Sequence, residues 1–131
     1  MGKRTTVQTV ALVFGAIYLA VGIIGFLPFL GGSFTLTNHA LLGIFQINLL
    51  HNLVHVVIGL AGLAAVTSLP NSRRFCQVVG VVLLLLGVLG VFVANPLGLL
   101  YIGQLDIPLH LVTGAVLAYF GFAATVSTRS A

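Results

Sequence analysis

Four polar side chains stand out in an otherwise apolar sequence, because their types and spacing suit chemistry. His51 and His55 are four residues apart, and so are Asp106 and His110. Residues at this spacing lie on one face of a helix, about one turn from each other. Each pair falls in the first turns of a predicted helix, where the positive helix end disfavours imidazolium. We therefore expect neutral imidazoles, which is the form of histidine that binds metals.

The sequence leaves three interpretations of these residues open. In the first, the imidazoles hydrogen-bond to Asp106, Asn52 or backbone carbonyls and fix the helix register. In the second, His51 and His55 hold a divalent metal with Asp106, or an imidazole ligates the metal of a haem or chlorophyll. In the third, the group relays protons or carries ions, although the inner halves of the predicted helices lack ionisable groups. A metalloprotease is excluded, because position 52 of the H-x-x-x-H segment is Asn rather than Glu.

The charge content decides the class of protein. Only 5% of the 131 residues are charged and 60% are apolar, whereas soluble proteins average about 25% charged residues. The charged side chains are Lys3, Arg4, Arg73, Arg74, Asp106 and Arg129. Six charges cannot solvate a folded surface, so a soluble domain, a disordered chain and a nucleic-acid-binding protein are excluded. One carboxylate side chain also excludes paired acid–base catalysis, so we expect no enzyme unless a bound cofactor supplies redox chemistry.

The polar residues must be positioned by membrane-spanning helices. A bilayer core of about 30 Å needs about 20 apolar residues of helix. Four apolar runs meet this need, at about 7–30, 48–66, 75–94 and 106–126. We predict an all-α, four-helix transmembrane bundle that forms one domain over residues 1–131. A semi-apolar stretch at 37–46 is predicted to form a short interfacial helix.

The cations predict the orientation of the bundle. They fall in three groups, namely Lys3 with Arg4, Arg73 with Arg74, and Arg129 alone. All three groups lie on one side of a four-span protein. By the positive-inside rule, both termini and the 67–74 loop are cytoplasmic, and the 31–47 and 95–105 connections face outward. We expect a multi-pass membrane protein, in a cytoplasmic membrane or in an internal membrane such as the thylakoid.

The spacing of the glycines predicts that the chain consists of two similar helical hairpins. In the first and third spans the matching glycines are Gly15, Gly22 and Gly25, and Gly80, Gly87 and Gly90, at a constant offset of 65. In the second half of each hairpin the matches are Gly43, His55 and Gly59, and Gly98, His110 and Gly114, at an offset of 55. Glycines at these spacings form small-residue stripes, through which helices pack closely in lipid. Two tandem hairpins would be related by an axis along the membrane normal.

The repeat predicts that the polar residues converge. It aligns Asp106 with His51, and His110 with His55. Both pairs begin at the outer leaflet and extend one or two turns inward. Two helices that face each other would therefore bring the four side chains together. Asn52 and His39 would join them from the side or from the outer loop.

The second span carries a more specific pattern. Asn48-x-x-His51-Asn52-x-x-His55-x-x-x-Gly59 resembles a bacterial membrane-protein family, numbered 4383 among domains of unknown function. The resemblance extends over about residues 8 to 127 and implies a bacterial cytoplasmic-membrane protein with four helices. It implies no activity, but it singles out Asn48, His51, Asn52 and His55. Asn48 is also a suitable N-cap for the second helix.

So little of the chain lies outside the bilayer that we expect it to act through lateral contacts. The leading expectation is a non-catalytic accessory or scaffold subunit of a larger bacterial membrane complex. Its outer-leaflet His, Asn and Asp side chains would fix helix packing or ligate a tetrapyrrole or metal. The alternative is a small oligomeric transporter of protons or metal ions. The expected partners are the lipid bilayer and other membrane proteins or further copies of the chain, and no nucleic acid.

Overall fold

A computed structural model describes residues 3–103 and 105–123, and it is built mainly of helices. The four α-helices are α1 (Thr6–Ile24), α2 (Leu49–Ala65), α3 (Leu69–Phe92) and α4 (Asp106–Ala123). Single 3-10 turns follow α1 at Pro28–Leu30 and α3 at Pro96–Gly98. Three helices, α1, α3 and α4, are long and apolar enough to cross a membrane, and α2 is apolar but has 17 residues. This composition suits contact with a lipid bilayer.

Side-chain caps explain where the helices begin. Thr5 caps α1 in a reciprocal capping box, in which its hydroxyl accepts from the Gln8 N–H and the Gln8 side chain accepts from the Thr5 N–H. Ser68 caps α3 by accepting from the Asn71 N–H, and Pro70 fits the first turn without loss of a helical hydrogen bond. Helix α3 therefore begins at Leu69 rather than at the predicted residue 75.

The first helix ends earlier than its hydrophobicity predicts. It ends at Ile24 rather than at residue 30, and Gly25 follows it as the C-cap. Gly25 lies so close to the Asn52 side chain that a Cβ at this position would overlap it. The chain then turns away through the 3-10 turn at Pro28. Hydrophobicity alone misses this end, because the residues that follow are also apolar.

The helices pack as two antiparallel hairpins, α1 with α2 and α3 with α4, and the contacts between the hairpins are fewer. Glycines form the seam inside each hairpin. A Cβ added to these glycines would lie closer than 3.0 Å to backbone of the partner helix: Gly15 and Gly59 in the first hairpin, and Gly80 and Gly114 in the second. In lipid, helices pack mainly through close approach of their backbones at small residues.

Contacts at the helix ends define two ends of the bundle. At one end, the Gln8 side chain donates to the Val66 carbonyl at 2.9 Å, and the Ser72 hydroxyl donates to the Ala65 carbonyl at 2.9 Å. The start of α1 and the α2–α3 connection are therefore neighbours. We call this the basic end, because it carries Lys3, Arg4, Arg73 and Arg74. Arg129 lies outside the described residues.

The opposite end holds the starts of α2 and α4, and with them all four candidate residues; we call it the histidine end. The apolar core consists of buried residues from all four helices and extends from the basic end towards the middle of the bundle, with Val7, Ala65, Phe75, Leu83 and Leu117 among its members. The outward faces of the helices are apolar as well. Their exposed side chains include Ile17 on α1, Val57 on α2, Leu85 on α3 and Val112 on α4.

The interfacial helix predicted for residues 37–46 is wrong. Strands β1 (His39–Leu41) and β2 (Phe45–Ile47) pair there as an antiparallel hairpin, with His39 opposite Ile47 and Leu41 opposite Phe45. The loop between them holds Leu42 and Gly43 at positive φ angles of 53° and 75°, which a right-handed helix cannot contain. The hairpin turns Leu41 and Ile47 inward, where they are 3% and 2% exposed.

A substitution in the glycine seam tests this packing. Gly59→Val would place a branched side chain against the backbone of Leu19, so we expect it to lower the free energy of unfolding by about 2 kcal/mol or more. Ala61→Val is the matched control, because Ala61 lies on the exposed face of the same helix. Unfolding is measured by thiol labelling during heating, since Cys76 is the only cysteine and is fully buried. Equal melting temperatures for the two variants would contradict the seam.

Candidate functional site at the histidine end

Asn48 ties the start of α2 to both outer connections. Its side-chain oxygen accepts from the His51 N–H at 2.9 Å and so caps the helix. Its side-chain nitrogen donates to the Leu99 carbonyl at 2.8 Å and to the Leu36 carbonyl at 3.2 Å. The residue is 1% exposed. One buried amide therefore joins the first hairpin to the connection that leads into α4.

Asn52, one turn further along α2, joins this helix to the end of α1 and to the connection that follows α1. Its side-chain nitrogen donates to the Gly25 carbonyl at 2.6 Å and to the Ser33 carbonyl at 3.2 Å. Its exposed fraction is also 1%. The Gly25 carbonyl also accepts from the Ser33 N–H at 2.8 Å, so Asn52 adds to a contact that already joins these two residues. Asn52 therefore supports the turn after α1.

Three histidines from two helices lie against one another. The ring centroids of His51 and His55 are 4.5 Å apart in an edge-to-face arrangement, and those of His51 and His110 are 6.4 Å apart. The ring centroids of Tyr18 on α1 and of His55 are 5.2 Å apart, also in an edge-to-face arrangement. We call His51, His55 and His110 the imidazole wall. The structure thus brings residues of α1, α2 and α4 to one place.

The start of α4 fixes the proton position on His110. Its Nδ1 lies 2.6 Å from the backbone carbonyl oxygen of Asp106. A carbonyl only accepts, so Nδ1 carries a proton, and when the ring is neutral Nε2 is left as an acceptor. The Asp106 carboxylate accepts from the Gly103 N–H at 2.8 Å and holds the turn before the helix. His110 and Asp106 are therefore linked through the Asp106 backbone.

The imidazole wall also contains unused hydrogen-bonding capacity. The Nδ1 atoms of His51 and His55 are buried and have no hydrogen-bond partner among the described residues. His51 as a whole is 6% exposed. Buried side-chain polar atoms nearly always have a partner in proteins, so such atoms call for an explanation. The register-fixing interpretation explains Asn48, Asn52 and His110, but it leaves these two atoms unexplained.

The wall borders a cavity of about 310 Å³ between α1 and α4. Its apolar lining comes from α1, from the β-hairpin and from α4: Phe14, Ile17, Tyr18, Val21, Ile24, Leu41, Leu42, Phe45, Ile47 and Leu109. Its polar lining consists of His51, His55, Asp106, His110 and Thr113. A second cavity of about 40 Å³ lies on the α3 side of the same histidines, against Val82, Leu83 and Leu86. The imidazole wall separates the two.

The structure therefore brings His51, His55, Asp106 and His110 to one cavity and places two other candidates elsewhere. His39 stays outside, where its ring bonds the Thr35 and Thr37 hydroxyls at 3.2 Å each. Asn52 faces the end of α1. In the part of the chain that the structure describes, no three His, Cys, Asp or Glu side chains are grouped to hold a metal ion.

Sequence reasoning missed the residues that complete the cavity. Tyr18 is three residues after Gly15 and four before Gly22, so the glycine stripe of α1 already placed it on the buried face. Its hydroxyl lies 3.5 Å from that of Thr113 and bridges α1 and α4. Nothing in the sequence pattern indicates that Leu41, Phe45 and Ile47 line the cavity, because their positions depend on the β-hairpin, which was not predicted.

Fold and composition define a helical protein with apolar, membrane-compatible helices. The comparison with protein families goes one step further. The model of the family described as domain of unknown function (DUF4383) matches residues 8–123, and the chain belongs to this family. The family predicted from the Asn-x-x-His-Asn-x-x-His pattern is thereby confirmed. No curated protein and no solved structure matches the chain.

Two substitutions separate the roles of Asn48. Asn48→Ala removes the cap and both donated hydrogen bonds, so we expect a loss of about 2–4 kcal/mol in stability. Asn48→Asp keeps the acceptor for the His51 N–H but turns an oxygen towards the Leu36 and Leu99 carbonyls, so it should lose at least as much stability as Asn48→Ala. Ser68→Ala, which removes a cap and no bridge, is the control. Full stability in Asn48→Asp, measured by thermal unfolding, would contradict the bridging role.

Proposed function

We propose that the chain is a four-span integral membrane protein in which α2 also crosses the bilayer. Its 17 residues extend about 25 Å, somewhat less than the hydrocarbon core of about 30 Å. Leu53, Val57 and Leu60 are 45%, 63% and 54% exposed, so α2 presents an apolar outward face like the other helices. The first connection packs on its start, where Asn48 donates to the Leu36 carbonyl and the Leu49 N–H donates to the Thr35 carbonyl, which supports a helix that begins below the membrane surface.

The orientation follows from the cations. Lys3, Arg4, Arg73 and Arg74 share the basic end, and the described residues of the histidine end carry no Lys or Arg. By the positive-inside rule we assign the basic end to the cytoplasm and the histidine end to the outer leaflet. We propose a bacterial cytoplasmic membrane, as the sequence pattern of α2 implies.

Equivalent contacts support the internal repeat. Four glycine contacts of the first hairpin have counterparts in the second when α1 is shifted by 65 residues and α2 by 55, whereas Gly62 has Leu117 at the matching position. The matched pairs are Gly15–Leu63 with Gly80–Ala118, Gly22–Val56 with Gly87–Leu111, Gly25–Asn52 with Gly90–Ile107, and Gly59–Leu19 with Gly114–Leu84. Gly43 and Gly98, which also match, both have positive φ angles, of 75° and 66°. We propose that the two hairpins arose by duplication.

We further propose that the protein is a non-catalytic accessory or scaffold subunit of a larger membrane assembly. The observation that supports this proposal is the apolar outer surface of the four helices. Large apolar side chains are exposed on the outward faces of all four helices, so the area available for a partner lies mostly within the membrane. The glycine seams are already used inside the hairpins. A partner would therefore meet the larger side chains of the outward faces.

A proton or metal-ion transporter is less well supported. Below the imidazole wall, towards the basic end, the described core consists mainly of apolar residues such as Phe75, Leu83 and Leu117. Ion and proton paths through a membrane are lined by polar or ionisable groups. The polar residues of the histidine end reach only part of the way through the bundle. This arrangement favours a scaffold over a carrier.

Cysteine labelling tests the number of spans. In a Cys76→Ala background, Thr37→Cys and Thr67→Cys each place one thiol on an exposed connection. If α2 crosses the membrane, an impermeant maleimide labels position 37 in intact cells and position 67 only after permeabilisation. Thr5→Cys at the basic end is the control and should behave like position 67. Labelling of positions 37 and 67 from the same side would contradict a crossing by α2.

A second experiment tests the accessory role. The tagged protein is purified in a gentle detergent, and the stoichiometry of any complex is measured by native mass spectrometry. We expect a complex with a defined larger membrane protein, and we expect Leu85→Trp on α3 or Val57→Trp on α2 to dissociate it without lowering the melting temperature. Both side chains are more than 60% exposed. A homo-oligomer that conducts protons in liposomes would favour the transporter instead.

A further inference from the structure

The cavity between α1 and α4 has its mouth on the lipid side. Ile17, Leu42 and Leu109 line it and are 51%, 56% and 47% exposed, so they lie at its opening. On α1 the lining extends from Phe14 to Ile24, about 15 Å along the helix axis. The β-hairpin closes the cavity at the histidine end. A molecule would therefore enter sideways from the bilayer, with its apolar part among these side chains.

The inner wall of the cavity offers a hydrogen-bond acceptor that the protein does not use. His110 donates from Nδ1 to the Asp106 carbonyl, so Nε2 accepts when the ring is neutral. The Nδ1 atoms of His51 and His55 also have no partner among the described residues, but they are buried inside the wall, where a ligand in the cavity does not reach them. A ligand with a hydroxyl group would supply a donor to Nε2 of His110, which no apolar chain can do.

The charges around the cavity restrict the head group of such a ligand. Among the described residues, no Lys or Arg lines the cavity, and Lys3, Arg4, Arg73 and Arg74 lie at the basic end. The only carboxylate, Asp106, is itself an acceptor. An anionic head, such as a fatty-acid carboxylate or a phosphate, would find no countercharge. Phe14, Tyr18, Phe45 and the imidazoles instead provide ring faces and edges that suit an aromatic head.

We propose that this cavity binds a neutral, lipid-soluble molecule with an aromatic, hydroxyl-bearing head, of the hydroquinone class. The head lies against the imidazole wall and donates to Nε2 of His110, which accepts when the ring is neutral. The apolar tail leaves between Ile17 and Leu109 into the lipid. A site of about 310 Å³, mostly apolar with a few convergent polar groups, matches the general character of small-molecule sites. This site is separate from the accessory role and stands if that role fails.

The proposal is tested by binding of decylubiquinol to the full chain in quinone-free lipid nanodiscs, measured by equilibrium dialysis under reducing conditions. We expect saturable binding of one molecule per chain. The oxidised form, decylubiquinone, has carbonyls in place of the hydroxyls and cannot donate to His110, so we expect it to bind about tenfold more weakly. Absence of saturable binding, or tighter binding of the oxidised form, would overturn the proposal.

Variants locate the site. His110→Phe removes the acceptor, and Leu109→Trp fills the mouth from an exposed position that folding tolerates; each should weaken binding by tenfold or more. His39→Phe, at the same end but outside the cavity, is the control and should bind as the unmodified chain does. Unchanged binding in Leu109→Trp would show that the quinol binds elsewhere. Displacement by oleate at lower concentrations than by decylubiquinol would assign the cavity to acyl chains and overturn the proposed class.

Discussion

Every feature of the histidine end depends on the need to satisfy backbone groups where the chain is not helical. Helices satisfy their own carbonyls and N–H groups, but the segments after α1 and α3 do not, and water is scarce inside an apolar bundle. Asn48 and Asn52 solve this problem with four donated hydrogen bonds to carbonyls of residues 25, 33, 36 and 99. These bonds connect the start of α2 to the end of α1, to the first outer connection and to the connection that leads into α4.

The cavity is a consequence of the same arrangement. The glycine seams hold the helices tightly within each hairpin, whereas α1 and α4 belong to different hairpins and make few contacts. Residues of the β-hairpin line the gap between them, and α2 supplies two imidazoles to its inner wall. Packing that is tight within hairpins and loose between them thus leaves an opening beside buried polar groups. This contrast explains how a chain with few polar residues forms a polar-walled pocket.

The sequence predicted what periodicity and composition control. The helical class, the N-cap at Asn48 and the family follow from apolar runs and from the spacing of Asn and His. It did not predict the end of α1 at Ile24, because the interaction that ends the helix is with Asn52, far along the chain. The β-hairpin was also missed, since the apolar content of residues 37–46 suits a strand as well as a helix. The residue that could have indicated a turn is Gly43, which has a positive φ angle, but a single glycine is weak evidence for a turn in a glycine-rich chain.

Hydrogen exchange of the asparagine side-chain amides tests the account most directly. In nanodiscs, NMR can follow the amide protons of Asn48 and Asn52, which are 1% exposed, alongside those of the exposed Asn38 and Asn71. If the buried amides brace the histidine end as described, their protons exchange many times more slowly than those of Asn38 and Asn71. Equally fast exchange at all four residues would show that the carbonyls are satisfied by water. The braced end, and the cavity that depends on it, would then not exist in the membrane.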